Sequence, residues 1–518
     1  MYSRVISGVV RGVRSDLLSV ETDMGQGLPS FTMVGALGTE VREAAERVRV
    51  ALRHIGAKLP PSRITVNFSP ADIPKKGTAL DLPVAAGILI CLGILGQEEA
   101  DGVFMAGELG LNGQLLPVRG ILPLIMCARE KGVRWCLLPK KNLAEAGMIS
   151  GLRLIGADTL GEAVSYLKMP RAKRESAFPV SEADYGALLQ SQEREVPDMA
   201  GVHGQQAAKR VLEIAAAGFH NALLIGPPGT GKSMLAGCLP GILPPLSVEE
   251  AMEVSSVYSV CGMLDASRPF IMTRPISRPH HTVTQAALLG GGNDPAPGMI
   301  SFAHRGVLFM DEFPEFGART LNLLRQPLEE HTIRIARKGR SIRYPARFQL
   351  IAAMNPCPCG YYPDRNRCQC TQTEIRRYRQ HLPGPVLDRI DLCVEVKRVS
   401  FGNLTGPTTG ESSAAVRKRV LAAVSRQRER FRGTGISFNA EMDSEAVGKY
   451  CVLRDEERRL MEEIYEKLSL SARSYHRLLK VARTIADLEG ARDITCVHLA
   501  EAASYRIRME EKEESYAE

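Results

Sequence analysis

The chain has 518 residues, 44% hydrophobic, 24% charged and 5% aromatic, ordinary globular values that exclude a disordered or fibrous protein. At roughly 150 residues per domain, that length predicts three or four domains. Lys and Arg number 66 against 58 acids, a net charge of +8 that permits a nucleic-acid partner without selecting one, and a single Trp argues against aromatic-lined cofactor cages.

Residues 1–170 alternate strand-like runs (LLSVET, ITVNFS, WCLLP) with helical ones (TEVREAAERVRVALRHIG, ILPLIMCAREKG), which predicts a compact domain of mixed α and β structure. The longest apolar stretch, Leu82 to Gly96, contains Pro83 and falls short of the roughly 20 residues of a membrane span, so it reads as a buried helix. At the start of the chain, Arg4, Arg11 and Arg14 interrupt short apolar pieces, and no signal-peptide core is visible. Most of the 12 cysteines are scattered singly, as at Cys91, Cys127, Cys238 and Cys496. Without a signal peptide they read as buried thiols of a cytoplasmic protein. Residues 171–196 are polar, with few apolar anchors, and read as a linker carrying at most one short exposed helix.

From 197 to 400 the strands become continuously apolar (GVLFMDE, FQLIAAMN), as expected of a parallel sheet covered on both faces. Gly226-Pro227-Pro228-Gly229-Thr230-Gly231-Lys232-Ser233 fits G-x-x-x-x-G-K-[ST], with the strand NALLI before it and the helix MLAGCL after it. The glycines let backbone N–H groups cradle phosphates, Lys232 faces the β- and γ-phosphates, and the Ser233 hydroxyl reaches Mg²⁺. A flexible turn with a stray lysine is the plain alternative, and the flanking strand and helix weigh against it. GVLFM ends in Asp311-Glu312, an acid pair that is expensive at a buried strand end unless it meets a cation or a water. Asp311 is read as holding Mg²⁺ and Glu312 as polarising the attacking water. At the next strand end, Asn355 could orient that water or sense the γ-phosphate.

Two features remain in this block. The segment 333–348 carries Arg334, Arg337, Lys338, Arg340, Arg343 and Arg347 with no acid, and it alternates like a hairpin around Lys338-Gly339. Arg365, Arg367, Arg376, Arg377 and Arg379 form a second basic stretch. Charge runs are usually solvated faces, but two beside a nucleotide site favour a salt-sensitive nucleic-acid track. Cys357, Cys359, Cys368 and Cys370 form two C-x-C pairs. Four thiolates suit a structural Zn²⁺, although C-x-C is tighter than the usual spacing and a reduced thiol loop is the alternative. Residues 401–413, rich in Gly, Thr, Ser and Pro, read as a second linker, and 414–518 as a helical lid. Its basic run at 416–432 has the spacing of a solvated helix face.

The loop at 226–233, the acid pair and Asn355 together resemble an AAA+ ATPase module. The text around Arg278-Pro-His-His281, with GGGNDPAPGMISFAHRGVLFMDEFPEF (290–316), AAMNPCPCG (352–360) and GPVLDRIDL (384–392), resembles the magnesium-chelatase-like ComM/YifB family over essentially the whole chain. That resemblance implies a hexameric ring using ATP and Mg²⁺, with Arg389 as an arginine finger reaching a neighbour's γ-phosphate. It also implies a sensor-2 arginine in the lid at Arg473, with Arg477 the competing candidate. PKKGTALDLPVAAGIL (74–89) and GELGLNGQLLPVRGILPLIMCAREKGVRWCLLPKKN (107–142) resemble the Lon proteolytic domain. The serine and lysine of its dyad fall on Ala79 and Leu122, and neither Thr78 nor Lys75 occupies the required position, so no peptidase activity is expected.

The implied fold is multidomain α/β: a Lon-protease-like α+β domain, an AAA+ parallel-sheet core and a helical lid. The leading functional expectation is an ATP-driven ring motor on single-stranded or branched DNA, of the kind associated with branch migration in recombination and natural transformation, without a membrane. A chelatase-type motor driving metal insertion through a partner protein is the alternative, and an ATP-dependent protease the third reading.

Overall fold

The computed structural model describes residues 1–192, 196–292, 295–337, 340–399 and 410–506. In the N-terminal part a seven-stranded sheet is built from β1 (Tyr2–Arg11), β2 (Arg14–Gly25), β3 (Ser30–Val34), β4 (Arg63–Ser69), β5 (Val103–Met105), β6 (Trp135–Pro139) and β7 (Arg153–Ala157). Its order is β3-β4-β2-β1-β5-β6-β7, with antiparallel pairing of β1 to β2 and of β2 to β4, and parallel pairing elsewhere. Helices α1 (Thr39–His54), α2 (Asp81–Cys91) and α3 (Ile121–Glu130) accompany it. Every residue of α2 is buried, so the long apolar run is core. Among the described residues, no helix is long and apolar enough to cross a membrane. The one acid in α2, Asp81, is matched by the Arg47 guanidinium at 2.7 and 2.9 Å.

The polar segment after residue 170 departs from the linker expected of it. It forms α4 (Arg171–Ala177) and α5 (Tyr185–Ser191), and both are docked. Arg153 donates to the Glu175 and Phe178 carbonyls, and the Tyr185 hydroxyl donates to Met148 O at 2.6 Å. Gln192 then bonds Phe270 and Met272 of the next unit through its side-chain amide. Sparse anchors suffice because each makes a backbone bond, which a hydropathy pattern does not register.

The second unit is a five-stranded sheet in which every pairing is parallel. Its strands are β8 (Ala222–Ile225), β9 (Ile276–Ser277), β10 (Val307–Met310), β13 (Gln349–Met354) and β14 (Leu392–Glu395), in the order β9-β10-β13-β8-β14. Between β10 and β13, strands β11 (Thr332–Arg337) and β12 (Arg340–Pro345) make a separate antiparallel hairpin. All of β10 and β13 is buried, as continuous hydrophobicity requires of strands covered on both faces. Helix α6 (Gln206–Gly218) precedes β8, α7 (Lys232–Cys238) follows it, and α8 (Val248–Val260) packs against α3. The C-terminal part is helical, with α9 (Ser413–Arg430), α10 (Asp455–Lys467), α11 (Ala472–Glu489) and α12 (Cys496–Ser504). Residues 401–409 of the expected second linker lie outside the described residues, and Ser412 caps α9.

The contact between the first two units carries a buried acid. Glu145 accepts the Leu122 N–H and the Ser259 hydroxyl, and burial pushes its carboxyl up to about 7. A carboxyl raised in the folded state binds its proton there after the unfolded chain has released it. Stability therefore falls as pH rises from about 4.5 to about 7. Thermal melting across that window should show this loss in the wild type and a flatter profile in Glu145→Gln; identical profiles would contradict the assignment.

Candidate active site

Four strands of the parallel sheet deliver the polar groups in question at its carboxyl edge. β8 runs into the loop Gly226–Gly231, where Gly229 and Gly231 take φ of +74° and +88°, values that side chains with a Cβ resist. At Gly226 a Cβ would stand 2.3 Å from Val396 O, so that glycine is required by close packing of β14. The Thr230 hydroxyl donates to Pro227 O at 2.8 Å and ties the loop across itself.

Lys232 opens α7 and is 8% exposed. Its ammonium donates to Gly226 O at 2.7 Å, Pro227 O at 2.9 Å and Asn355 Oδ1 at 3.0 Å. Burial lowers its pKa, opposed by the charges of Asp311 and Glu312. Neutral acceptors hold the cation, so an arriving phosphate oxygen can replace them at a net electrostatic gain. Ser233 Oγ donates to Asp311 Oδ2 at 2.5 Å, which brings together two oxygen donors suited to Mg²⁺. Glu312 has φ +49°, a left-handed conformation uncommon for a side chain of its size, and its N–H donates to Asp311 Oδ1 at 2.9 Å. These groups line a cleft of about 390 Å³, within the size range of small-molecule sites.

Sequence reasoning missed His281 as a member of this site. Its Nδ1 is 3.2 Å from Glu312 Oε2, and its ring lies against His280 at 4.1 Å between centroids. His281 follows β9, the strand beside β10, so it approaches Glu312 from the side away from the Lys232 loop. Farther along the same segment, Pro295 O accepts the Tyr344 hydroxyl of β12 at 2.5 Å. The signal was a strand-end His beside a strand-end acid, visible only once strand order is known.

The two arginines are elsewhere. Arg389 and Arg473 both bind Glu329, the latter at 2.7 Å. Asn221, at the amino end of β8, donates its side-chain amide to Arg389 O at 2.8 Å, and Arg477 donates to Ile390 O at 3.0 Å. The Lys232 loop leaves the other end of β8, roughly 13 Å away at about 3.3 Å per residue. Arg473, the expected sensor-2 arginine, thus joins Arg389 at the opposite edge of the sheet in this structure. The competing Arg477 is 8% exposed and turned to the Ile390 backbone there too.

In the hairpin, Arg334 pairs across the strands with Arg343, and both are exposed, while Ile333 and Ile335 are buried beneath. Arg337 pairs in register with Arg340, and Lys338 lies outside the described residues. Arg347 leaves the basic set, because it reaches Glu441 of the helical part at 3.3 Å. In the second basic stretch, Arg365 and Arg379 stack on Tyr362, and Arg367 on Tyr361.

Those rings belong to the cysteine loop. Cys357, Cys359, Cys368 and Cys370 offer sulfurs that all lie within 4.8 Å of one another. Three of the separations are 3.4, 3.7 and 3.6 Å. A disulfide needs about 2.05 Å. Sulfurs about 2.3 Å from one tetrahedral ion stand roughly 3.8 Å apart. Against the upward push of burial, the Tyr361 N–H and the neighbouring thiols pull Cys359 down to about 6.

In the N-terminal part, Ala79 is half-buried and Leu122 fully buried. The Thr78 hydroxyl is engaged by Glu108, and the buried Lys75 amine donates to Pro70 O. A cavity of about 1320 Å³ lies between Thr78, Ala79 and Glu108 on one side and Ile342 and Tyr344 of the hairpin on the other.

Three family descriptions match the chain: magnesium chelatase, subunit ChlI, over 198–404; subunit ChlI of Mg-chelatase over 20–142; and the ChlI C-terminal region over 410–506. The chain is 43% identical to a Salmonella typhimurium protein called YifB, over 96% of this chain and 95% of that one. It is 43% identical to the competence protein ComM of Haemophilus influenzae, over 97% of each. Similarity to a Lon protease of Chloroflexus aurantiacus is 27% over 182 residues, 33% of this chain and 22% of that one.

Proposed function

The chain belongs to the magnesium chelatase subunit ChlI family, alongside the ComM and YifB proteins, and from that premise we propose that it is an ATP-hydrolysing ring motor acting on DNA. The family is of the AAA+ type, which implies ATP and Mg²⁺. The observation that carries the reading is the convergence of Lys232, Ser233, Asp311, Glu312 and Asn355 in one cleft. The loop Gly226–Gly231 binds the phosphates through its N–H groups, and Lys232 exchanges its carbonyl partners for the β- and γ-phosphate oxygens. Ser233 and Asp311 are the residues that would hold Mg²⁺, which when bound would neutralise phosphate charge. Glu312 takes the proton of the attacking water after turning from His281 toward the cleft, and Asn355 orients that water or the γ-phosphate.

Among the described residues no arginine lines this cleft, and Arg389 and Arg473 share Glu329 at the far edge. Both therefore serve a neighbouring subunit's nucleotide, and a closed ring, hexameric by family resemblance, gives every cleft its arginines. Arg389→Ala should cost about 10³-fold or more in turnover while nucleotide still binds. Mixing it with Lys232→Ala, which keeps its own arginines, should restore hydrolysis in part; no restoration would contradict action in trans.

The exposed Arg334, Arg343 hairpin, with Arg337, Lys338 and Arg340, is the DNA contact in this reading, and single-stranded or branched DNA its substrate. ATP turnover should rise with single-stranded, duplex or four-way-junction DNA, fall again with salt, and vanish in Lys232→Ala. Turnover lost in Lys232→Ala but indifferent to every DNA would favour the second reading, a chelatase-type motor working through a partner protein, which the family's name supports. Peptidase activity is absent in this account, because Ala79 and Leu122 supply neither nucleophile nor base. Casein should survive incubation with the wild type; degradation that Thr78→Ala abolishes would make Thr78 a nucleophile. The four clustered thiols are a structural zinc site.

A further inference from the structure

The cysteine loop touches the nucleotide cleft at both of its walls. Asn355, the acceptor of the Lys232 ammonium, is two residues from Cys357, whose side chain is fully buried. From the other side, Gly360 lies against the apex of the phosphate loop. A Cβ on Gly360 would stand 2.5 Å from Pro228 Cδ and 3.7 Å from Asn355 Cγ, and its φ of +84° suits glycine. The Tyr362 N–H donates to Cys357 Sγ at 3.4 Å, so the turn carrying Gly360 is held by one of the four clustered sulfurs.

We propose that Zn²⁺ bound by Cys357, Cys359, Cys368 and Cys370 sets the position of Pro228 and Asn355, so that zinc and nucleotide bind this protein cooperatively. The four sulfurs have the compactness of a mononuclear site, too close for a multi-iron cluster and too far apart for disulfides. A closed tetrathiolate shell leaves no open position for catalysis, so the ion acts through geometry. With zinc in place, Gly360 is fixed against Pro228 and Asn355 is fixed opposite Lys232. Without zinc, four thiols hold the loop by weak S–H contacts, and both walls gain freedom that nucleotide must then remove. Linkage makes the effect reciprocal: the factor by which zinc tightens nucleotide is the factor by which nucleotide tightens zinc.

This inference rests on the nucleotide reading of the Lys232 loop, which binding of a fluorescent ADP to the wild type and to Lys232→Ala tests separately. Zinc is titrated into full-length, metal-depleted protein against a buffered chelator, with and without saturating ADP, and ADP affinity is measured with and without zinc. We expect equimolar zinc, lost in Cys359→Ser/Cys370→Ser. ADP should raise zinc affinity severalfold, by the factor zinc raises ADP affinity, and neither effect should survive in Lys232→Ala. Gly360→Ala should keep its zinc and weaken ADP. Equal metal content in wild type and double variant, or iron in place of zinc, overturns the site. Zinc affinity unmoved by ADP, in protein that binds ADP, overturns the coupling while leaving the nucleotide reading intact.

Discussion

A parallel sheet has two chemically different edges, and in this protein that polarity decides which charged groups can meet. The carboxyl ends of β8, β10 and β13 bring Lys232, Asp311, Glu312 and Asn355 to one cleft, and the end of β9 sends His281 to its rim. The amino edge collects Asn221, Arg389 and the Arg477 contact instead. Buried apolar strands between the two edges prevent either set from reaching the other. Among the described residues, the lining of the cleft therefore contains a lysine and no arginine, and Arg389 and Arg473 meet at Glu329 on the other edge.

Within the cleft the electrostatics favour an anion. Burial lowers the pKa of Lys232, yet its partners are neutral oxygens. An ammonium whose hydrogen-bond partners are all neutral, with Asp311 and Glu312 acting only through space, can still gain from a phosphate that brings full charge into contact. Asp311 takes the Ser233 hydroxyl and the Glu312 N–H, so its carboxylate is oriented before any cation arrives. Glu312 is turned away to His281 from a left-handed backbone, a conformation that a rearranged cleft could relax. The segment bearing His281 also reaches the foot of the basic hairpin through Pro295 and Tyr344.

Much of this was legible in the residues because short-range chemistry and long apolar strands announce themselves. The phosphate loop lies between its strand and helix, the acid pair and Asn355 fall on neighbouring strand ends, and the four cysteines converge. What sequence could not carry was anything that depends on strand order or on backbone partners. Which edge of the sheet Arg473 meets is not legible, because a lid helix can fold toward either one. Residues 171–192 dock through carbonyl and amide bonds, at Arg153, Tyr185 and Gln192, that leave no hydrophobic period. Gly360 against Pro228 joins loops more than a hundred positions apart, and only the pairing of β8 with β13 brings them together.

The central claim is that hydrolysis requires a neighbour's arginines, and turnover per subunit measured against protein concentration tests it most directly, with the assembly state recorded in the same samples. The account predicts turnover per subunit falling toward zero as dilution leaves monomers, while monomers still bind nucleotide. Monomers that hydrolyse ATP at the assembled rate would contradict it.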